Sequence, residues 1–320
     1  MRETFPDVHL IENRENMGFA TANNQAIAAS SGRYVLLLNS DTVVHPGAFD
    51  VLVRFMDEHP EAGAAGPLTL NPNGTLQLSC YPSPTLAREL WFLLHLDRLH
   101  PYGVYPMARW NRGQPRPVDA VLGACLMVRR SVLEQVGVLD PAYFMYSEEI
   151  DLCYRIQRAG WRIYWAPAAV IDHYGGQSTR QVAASMFLQL YRSKVRFFRK
   201  NQGRWAAVGY KLVLLAVALP RLALTPLAWL EPRPRRERHL ALASRYWSSA
   251  ARAAGAMSRP HSPAAPARAS AQDRSGHKLG PRLRKSPVLT KSYLRRQNLV
   301  SWHTRRLPKS RFKRQVPMAG

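Results

Sequence analysis

The chain has 320 residues and a formal net charge of +24. Apolar residues make up 46% of it and charged residues 21%, which is typical of a globular protein and excludes a largely disordered one. Its three cysteines, Cys80, Cys125 and Cys153, lack paired spacing, which argues against a disulfide scaffold, a zinc ribbon or an iron–sulfur site and fits a reducing compartment. The charge by itself indicates a protein that binds nucleic acid or an anionic membrane.

The positive charge is concentrated near the C-terminus. Residues 1–232 contain 23 Lys/Arg and 19 Asp/Glu, a net charge of +4, whereas residues 233–320 contain 22 and 2, a net charge of +20. We interpret 233–320 as a basic tail that lacks apolar periodicity and is expected to be disordered. Such a tail binds polyanions in a salt-dependent way. Its Tyr293 and Trp302 are too few and scattered for base stacking, so specific nucleic-acid recognition is not expected.

The first third of the chain alternates short apolar runs with helical segments. Val8–Ile11 is a predicted strand, and the continuous apolar run Tyr34–Leu38 predicts a strand buried on both faces. Thr21–Ser30 has helical composition, and Ala48–His59 has apolar residues at helical spacing. Strands and helices alternating at this spacing indicate an α/β domain with a mostly parallel sheet.

The middle of the chain is less regular. Leu68–Leu78 predicts a hairpin around a turn at Asn71–Gly74. The aromatic and proline-rich segment Pro82–Pro117 is predicted to be irregular apart from one helix near Thr85–Leu96. The elements predicted after it are, in chain order, an apolar run over Val118–Arg129, a short helix over Ser131–Val136, a helix over Glu148–Ala159, and short strands over Arg162–Trp165 and Ala169–Ile171.

Two segments precede the basic tail. Val182–Gln202 predicts a basic amphipathic helix, and Trp205–Leu230 is an apolar stretch interrupted by Lys211 and by Pro220-Arg221. A bilayer span needs about 20 largely apolar residues. Because the interruptions fall inside the stretch, we favour two short helices lying in the membrane interface over a single span, which stays open as the alternative.

Two polar motifs follow predicted strands. Asn39-Ser40-Asp41-Thr42 comes directly after Tyr34–Leu38, and ligands of open α/β sheets bind beyond the carboxyl ends of strands. A carboxylate with neighbouring oxygen donors suits Mg²⁺ or Mn²⁺; the alternative is that these residues cap the following helix. His173 follows the last predicted strand and is either a metal ligand or an ordinary loop residue.

The third motif is acidic and opens a helix. Glu148, Glu149 and Asp151 lie in a first turn that Ser147 is expected to cap. The helix dipole favours ionised carboxylates there, and an ionised carboxylate facing a cleft can act as a general base. The alternative is that these acids only offset the dipole, with Asp151 paired to Arg155 one turn later.

Taken in order, these motifs resemble those of family 2 inverting glycosyltransferases of the rhamnosyltransferase-like branch. The resemblance extends from Asn13 to about Gly203. The matching segments are Asn16–Asn24 (NMGFATANN), Tyr34–Thr42 (YVLLLNSDT), Gly123–Arg130 (GACLMVRR), Val136–Asp140 (VGVLD), Phe144–Arg155 (FMYSEEIDLCYR), Gly160-Trp161 and His173–Ser178 (HYGGQS).

The resemblance implies a GT-A nucleotide-diphospho-sugar fold, a divalent ion (Mg²⁺ or Mn²⁺) and a single displacement at the anomeric carbon. It implies that Asp41 ends the metal-binding motif, with Asn39 two residues before it, and that His173 completes the coordination. Glu149 matches the catalytic base and Glu148 the acid before it. Most relatives have Glu-Asp where this chain has Glu-Glu.

Five small or polar residues match the substrate pocket of the family. Gly18, Ala22 and Asn23 match the loop and helix start that line the nucleotide-sugar site. Gly123 and Ala124 match the small pair that lets donor and acceptor sugars approach each other.

The resemblance also implies the organisation and role of the whole chain. We expect an incomplete catalytic domain over 1–203, a membrane-associating segment over 204–232 and the tail over 233–320. Only fifteen residues precede Asn16, so the first strand–helix–strand of the family is expected to be missing, through a misassigned start, a fragment or a decaying gene. The tail is either genuine or out of frame.

The implied activity is transfer of a sugar, rhamnose foremost, from a nucleoside-diphosphate donor such as dTDP-rhamnose to a lipid-linked or polysaccharide acceptor. It would take place at the cytoplasmic face of the cell membrane, where anionic lipids attract the basic helix. The alternatives are a non-catalytic remnant and a protein whose basic tail binds anionic lipid or nucleic acid.

Overall fold

The computed structural model describes residues 4–175 and 183–223, all within one unit of the chain, Met1–Pro260. The predicted tail, 233–320, lies outside the described residues. The helices are α1 (Phe19–Ala29), α2 (Ala48–Glu58), α3 (Leu86–Leu93), α4 (Arg130–Val136), α5 (Glu148–Arg158), α6 (Ala183–Asn201) and α7 (Arg204–Ala223). The strands are β1 (Tyr34–Leu38), β2 (Thr42–Val44), β3 (Ala62–Leu70), β4 (Cys80–Tyr81), β5 (Arg116–Val118), β6 (Ala120–Val121), β7 (Cys125–Arg129) and β8 (Arg162–His173).

The main sheet has the strand order β1-β7-β3-β8-β2, with β5 also paired to β8. The α/β class is confirmed, but the expected mostly parallel sheet is wrong. Among the described strands only β3 and β8 pair in parallel, and the other pairings are antiparallel. The reason is that β7, from the middle of the chain, inserts between β1 and β3 and runs against both. The alternation of strands and helices along the sequence therefore predicts the α/β class but does not predict whether the strands pair in parallel or antiparallel.

Strand β1 has the predicted bounds but not the predicted burial. Val35 and Leu37 are buried, whereas Leu38 is 40% exposed. This alternation follows from the position of β1 at one end of the strand order, where one face packs on the core. The predicted strand Val8–Ile11 is not formed, and the N–H of Val8 instead donates to the carbonyl of Phe5 at 3.3 Å.

Strand β8 replaces the two short strands predicted from the sequence. It runs unbroken through Pro167, and its pairing with β3 shifts register between Pro67 and Leu68. Proline is tolerated at such a bulge because its missing N–H is not needed there. One long strand therefore leads from Arg162 to His173.

The predicted turn at Asn71–Gly74 is confirmed. The N–H of Gly74 donates to the Asn71 carbonyl at 2.8 Å, and the N–H of Gln77 donates to the Thr69 carbonyl at 2.9 Å. The returning arm forms a single bridge, Leu70 to Leu76, instead of a strand. This hairpin brings Gln77 back beside the end of β8.

Helices α6 and α7 pack on α3. Lys194 of α6 forms an ion pair of 2.8 Å with the buried Glu89, and Phe198 stacks on Tyr210 of α7 with ring centroids 4.8 Å apart. Helix α7 continues through Pro220 to Ala223, so the predicted break at Pro220-Arg221 is wrong; 224–230, the rest of the predicted apolar stretch, lie outside the described residues. Pro220 lies in the last described turn, where it costs one backbone hydrogen bond while packing holds the rest of the helix. In the described part of the chain, no helix is both long and apolar enough to cross a bilayer.

Candidate active site

The antiparallel pairing of β2 with β8 brings Asp41 beside His173. Thr42 is opposite His173 in this pairing, and the N–H of Tyr174 donates to the Asp41 carbonyl at 2.9 Å. His173 Nε2 lies 3.3 Å from Asp41 Oδ1 and 3.4 Å from Asn39 Nδ2. Three residues singled out in the sequence thus meet at one point.

The structure decides two of the alternatives that the sequence left open. The motif that contains Asp41 leads into β2 and not into a helix, and the N-cap position of α2 is Gly47, so a capping role for the motif is excluded. His173 is the last residue of β8 and is buried, so it is not an ordinary exposed loop residue.

A further residue, Gln77, completes this cluster. Its Oε1 lies 2.7 Å from His173 Nδ1, on the side of the imidazole away from Asp41. Sequence reasoning missed Gln77, although a polar residue between Leu76 and Leu78 on the returning arm of a hairpin was a usable signal.

The donor atoms of this cluster fit a divalent ion bound mainly through a substrate. Asp41 supplies a carboxylate and His173 an imidazole, and the described residues hold no group of three or more His, Cys, Asp or Glu side chains placed to bind a metal. An ion held by one or two side chains keeps positions for phosphate oxygens, which is the usual arrangement of Mg²⁺ at phosphate sites. An imidazole ligand also suits Mn²⁺.

The acidic pair at the start of α5 is largely shielded from solvent. Glu148 is 5% exposed, and Glu149 is partly exposed. The Oε2 atom of each side chain is nevertheless buried and has no hydrogen-bond partner among the described residues. Burial raises the pKa of both carboxyls, and the charge of Glu149 raises the pKa of Glu148 further. The two residues are adjacent in the chain, and a negative charge on Glu149 makes ionisation of Glu148 less favourable.

The backbone entering α5 is strained. Tyr146 and Ser147 have φ values of 69° and 68°, in the left-handed region that side chains other than glycine rarely adopt. Ser147 occupies the N-cap position but makes no side-chain hydrogen bond there, so its predicted capping role is wrong. Strain of this kind concentrates at functional sites, where the surrounding structure holds it.

The Gly123-Ala124 pair joins the two clusters. The N–H of Asn39 donates to the Ala124 carbonyl at 2.9 Å. A Cβ placed on Gly123 would lie 3.4 Å from the Cβ of Glu149, and the N–H of Gly123 helps to stabilise the Glu149 carboxylate. The backbone of Gly123-Ala124 therefore lies between two parts of the site. On one side is the segment that contains Asp41, and on the other is the Glu148–Glu149 pair.

The start of α1 is attached to the loop before α5. Gly18 has a φ of 78° and passes so close to Phe144 that a Cβ would overlap its carbonyl, and the N–H of Phe19 donates to that carbonyl at 2.9 Å. Ala22 is exposed, whereas the Asn23 side chain donates to the Phe19 carbonyl within its own helix at 2.8 Å. This contact gives Asn23 a local structural role.

The side chain that anchors α1 to this loop is Asn24, which sequence reasoning did not single out. Its Nδ2 donates to the Leu139 carbonyl at 2.7 Å, and its Oδ1 accepts from the Leu139 N–H at 3.1 Å. The family resemblance covered Asn24 as the last residue of the first matching segment, which was the available signal.

Asp151 holds helix α5 against α6. It is fully buried, and its carboxylate accepts hydrogen bonds of 2.9 Å each from Arg155, Lys200 and Asn201. Lys200 also bridges to Asp140 at 2.7 Å. The predicted pair of Asp151 with Arg155 is confirmed as one part of this larger network, which sets the position of the helix that carries Glu149.

A family model and two named relatives all identify this chain as similar to glycosyltransferases. The family model described as glycosyltransferase like family 2 matches residues 1–207. N-acetylglucosaminyl-diphospho-decaprenol L-rhamnosyltransferase of Mycobacterium tuberculosis is 33% identical over 217 residues, which are 63% of this chain and 70% of that protein. Rhamnosyltransferase WbbL of Escherichia coli K12 is 34% identical over 85 residues, 27% of this chain and 32% of that protein, so the match spans well under two thirds of it.

A solved structure shows a weaker likeness. Mannosyltransferase PcManGT from Pyrobaculum calidifontis, determined in complex with GDP-Man and Mn²⁺, has a TM-score of 0.40 and 17% identity, over 80% of this chain and 72% of that chain. The family model is the stronger finding, because its match includes every segment from Asn16 to Ser178 on which the sequence resemblance rested. The chain belongs to glycosyltransferase-like family 2 and is similar to its rhamnosyltransferases.

Proposed function

We propose that this chain transfers a sugar, rhamnose foremost, from a nucleoside-diphosphate donor such as dTDP-rhamnose to a lipid-linked glycan or polysaccharide acceptor. The observation that carries the proposal is the joining of the Asp41–His173 cluster to the largely shielded Glu148–Glu149 pair through Gly123-Ala124. The similar M. tuberculosis protein bears the name N-acetylglucosaminyl-diphospho-decaprenol L-rhamnosyltransferase, which supports this sugar and a lipid-linked acceptor. The catalytic unit is proposed to be 1–203.

Asp41 and His173 are the residues proposed to hold the divalent ion, Mg²⁺ or Mn²⁺. When bound, such an ion offsets the negative charge that develops on the leaving nucleoside diphosphate. The side-chain amide of Asn39 lies beside the same two residues, with its Nδ2 3.4 Å from His173 Nε2. The chain itself thus supplies one carboxylate, one imidazole and one amide toward the diphosphate.

Glu149 is the proposed general base. Its carboxylate takes the proton of the acceptor hydroxyl, the hydroxyl oxygen forms a bond to the anomeric carbon, and the bond from that carbon to the diphosphate oxygen breaks. A single displacement of this kind inverts the anomeric configuration. Burial makes the carboxylate a stronger base than a solvated glutamate, and Glu148, whose pKa burial and the charge of Glu149 both raise, is the member proposed to carry the proton of the pair.

The small residues are proposed to keep room for the two sugars. Gly123 has no side chain to fill the space beside Glu149, and Ala124 adds only a methyl group next to Asn39. Gly18, Ala22 and Asn23 are proposed to lie along the nucleotide-sugar site at the start of α1. The exposed Ala22 is free to contact a ligand, and the Asn23 side chain supports the helix start.

The direct experiment uses the full chain with Mn²⁺ or Mg²⁺ and a panel of nucleoside-diphosphate sugars. We expect release of nucleoside diphosphate only when a polyprenyl-diphosphate-linked N-acetylglucosamine or a polysaccharide acceptor is present. Proton NMR of the product should show the anomeric configuration opposite to that of the donor. Turnover that does not require Asp41, measured with Asp41→Ala, would contradict the proposed site.

Helices α6 and α7 are proposed to hold the protein at an anionic membrane surface. Residues 183–223 contain eight Lys/Arg and no Asp/Glu. One face of α7 packs on α3 and α6. The opposite face carries apolar residues at spacings of three and four that are 41–73% exposed: Trp205, Val208, Leu212, Leu215 and Leu219. A basic helix pair with an exposed apolar stripe suits an anionic lipid interface, whereas a second copy of so basic a surface would be repelled.

Vesicle flotation tests the membrane proposal. The full chain should bind vesicles that contain phosphatidylglycerol and bind phosphatidylcholine vesicles weakly. Leu212→Glu and Leu219→Glu should each weaken binding about tenfold or more, since burying a leucine contributes roughly 1.5–3 kcal/mol. Val8→Glu, an exposed apolar residue far from α7 in sequence, is the control and should bind as the wild type does. Unchanged binding by both α7 variants, or a concentration-dependent dimer that both variants abolish, would overturn the proposal.

A further inference from the structure

The hydrogen bonds around Gln77 determine which nitrogen of His173 carries a proton. From them we propose that Gln77 is a positioning residue that keeps the His173 proton on Nδ1, so that Nε2 presents its lone pair beside Asp41. The position of the proton does not depend on the function proposed above. Only the purpose given to the lone pair, binding of a divalent ion, rests on that function.

The orientation of the Gln77 amide follows from a backbone carbonyl. The Nε2 of Gln77 lies 3.1 Å from the carbonyl oxygen of His173, an atom that can only accept a hydrogen bond. Nitrogen and oxygen of an amide are assigned from their partners, and this partner requires nitrogen on that side. The Oε1 of Gln77 is therefore the atom that faces the imidazole.

Asn71 supports the same orientation independently. Its Nδ2 donates to the Leu76 carbonyl at 3.3 Å and to Thr75 Oγ1 at 3.0 Å, so its Oδ1 is an acceptor. That Oδ1 lies 3.0 Å from Gln77 Nε2. The Gln77 amide thus has two acceptors on its nitrogen side, and turning it over would place its oxygen against both.

The consequence for His173 is a single tautomer. Gln77 Oε1 lies 2.7 Å from His173 Nδ1, and an amide oxygen has no proton to give, so Nδ1 must donate. In the neutral imidazole Nε2 is then unprotonated. It lies 3.3 Å from Asp41 Oδ1, and Asn39 Nδ2, 3.4 Å away, can donate a hydrogen bond to it in this tautomer.

The tautomer matters because a metal ion binds imidazole only through an unprotonated nitrogen. A proton on Nε2 would instead hydrogen-bond to Asp41 and occupy the direction in which a cation must approach. Free histidine in water favours the proton on Nε2, so the chain needs a partner on Nδ1 to reverse that preference. Gln77, held by the hairpin bond from its N–H to Thr69 at 2.9 Å, is that partner.

Nitrogen NMR of the metal-free full chain tests the tautomer directly. With ¹⁵N-labelled histidine at alkaline pH, and with His173→Gln to assign the signals, the wild type should show a protonated Nδ1 and a bare Nε2 on His173. Gln77→Met keeps the length of the side chain and removes the acceptor, so the proton should move toward Nε2. Asn73→Ala is the matched control, because the hydrogen bonds of the Asn73 side chain to described residues stay within the hairpin turn, at Thr75.

Binding of Mn²⁺ alone, followed by the loss of its free EPR signal, supplies the second readout. Gln77→Met should weaken Mn²⁺ binding about 10- to 100-fold, the usual effect of removing the partner of a ligating histidine. Asn73→Ala should bind Mn²⁺ as the wild type does. A wild-type spectrum with the proton on Nε2, or a Gln77→Met protein that keeps both the tautomer and the Mn²⁺ affinity, would overturn the proposal. If the tautomer is as expected and no sugar transfer is found, the proposed function fails and this inference stands.

Discussion

Replacing Glu149 with glutamine is expected to lower kcat by about 10²- to 10⁴-fold while KM for the nucleotide sugar stays nearly unchanged. The amide keeps the shape of the side chain and its contact with Gly123 but cannot accept the acceptor's proton. Steady-state release of nucleoside diphosphate by the full chain measures both constants. Glu134→Gln, at an exposed glutamate of α4, is the control and should retain full activity.

Replacing Glu148 with glutamine tests which residue of the Glu148–Glu149 pair is the general base. Burial and the charge of Glu149 both raise the pKa of Glu148, so we propose Glu148 as the member that carries the proton, and Glu148→Gln should affect kcat far less than Glu149→Gln. Activity requires ionised Glu149, whose pKa burial raises above that of an ordinary glutamate. The rate should therefore fall with decreasing pH, starting at a higher pH than for a solvated carboxylate. A larger loss in Glu148→Gln would assign the base to Glu148 instead.

The second large effect concerns stability. Asp151→Asn is expected to lower the free energy of unfolding by about 3–5 kcal/mol, because it leaves the charges of Lys200 and Arg155 without their buried carboxylate. Urea unfolding followed by circular dichroism measures the change. Asp57→Asn is the matched control: Asp57 is also paired with an arginine, Arg33, but at the surface, and its loss should change stability far less.

A second variant distinguishes the network from a local effect on α5. Lys200→Met removes the cation from α6 and should weaken the attachment of that helix, so the two variants should not be additive when combined. Additive losses would show that Asp151 and Lys200 act separately. A stability of Asp151→Asn equal to that of the wild type would contradict the assigned role of the carboxylate.

The family was predictable from the sequence because its motifs are local. Asn39 and Asp41 follow β1 within three residues, and Glu148 and Glu149 open α5, so the chemistry of each motif is readable in one short segment. Their surroundings were not readable in this way. The first turn of a helix predicts ionised acids, yet in the folded chain loss of solvent raises the pKa of both carboxyls, and Glu149 lies against Gly123.

Residues outside the motifs were missed for the same reason. The local patterns around Gln77, Lys200 and Asn24 do not name the residues that they contact. Gln77 reaches His173 only because the hairpin after β3 returns beside β8, and Lys200 reaches Asp151 only because α6 packs on α5. Such partners depend on contacts between segments tens of residues apart.

By itself the sequence determined the α/β class, the positions of most helices, the family and the residue types available for catalysis, because these depend on local periodicity and short motifs. Only the tertiary structure decided strand direction, the continuity of β8 and α7, and the surroundings of the ionisable side chains at the site. Strand direction depends on β7 inserting between β1 and β3, and protonation depends on burial and on the hydrogen-bond partners that distant segments bring to His173 and Glu149. Both are properties of contacts, which a linear pattern does not contain.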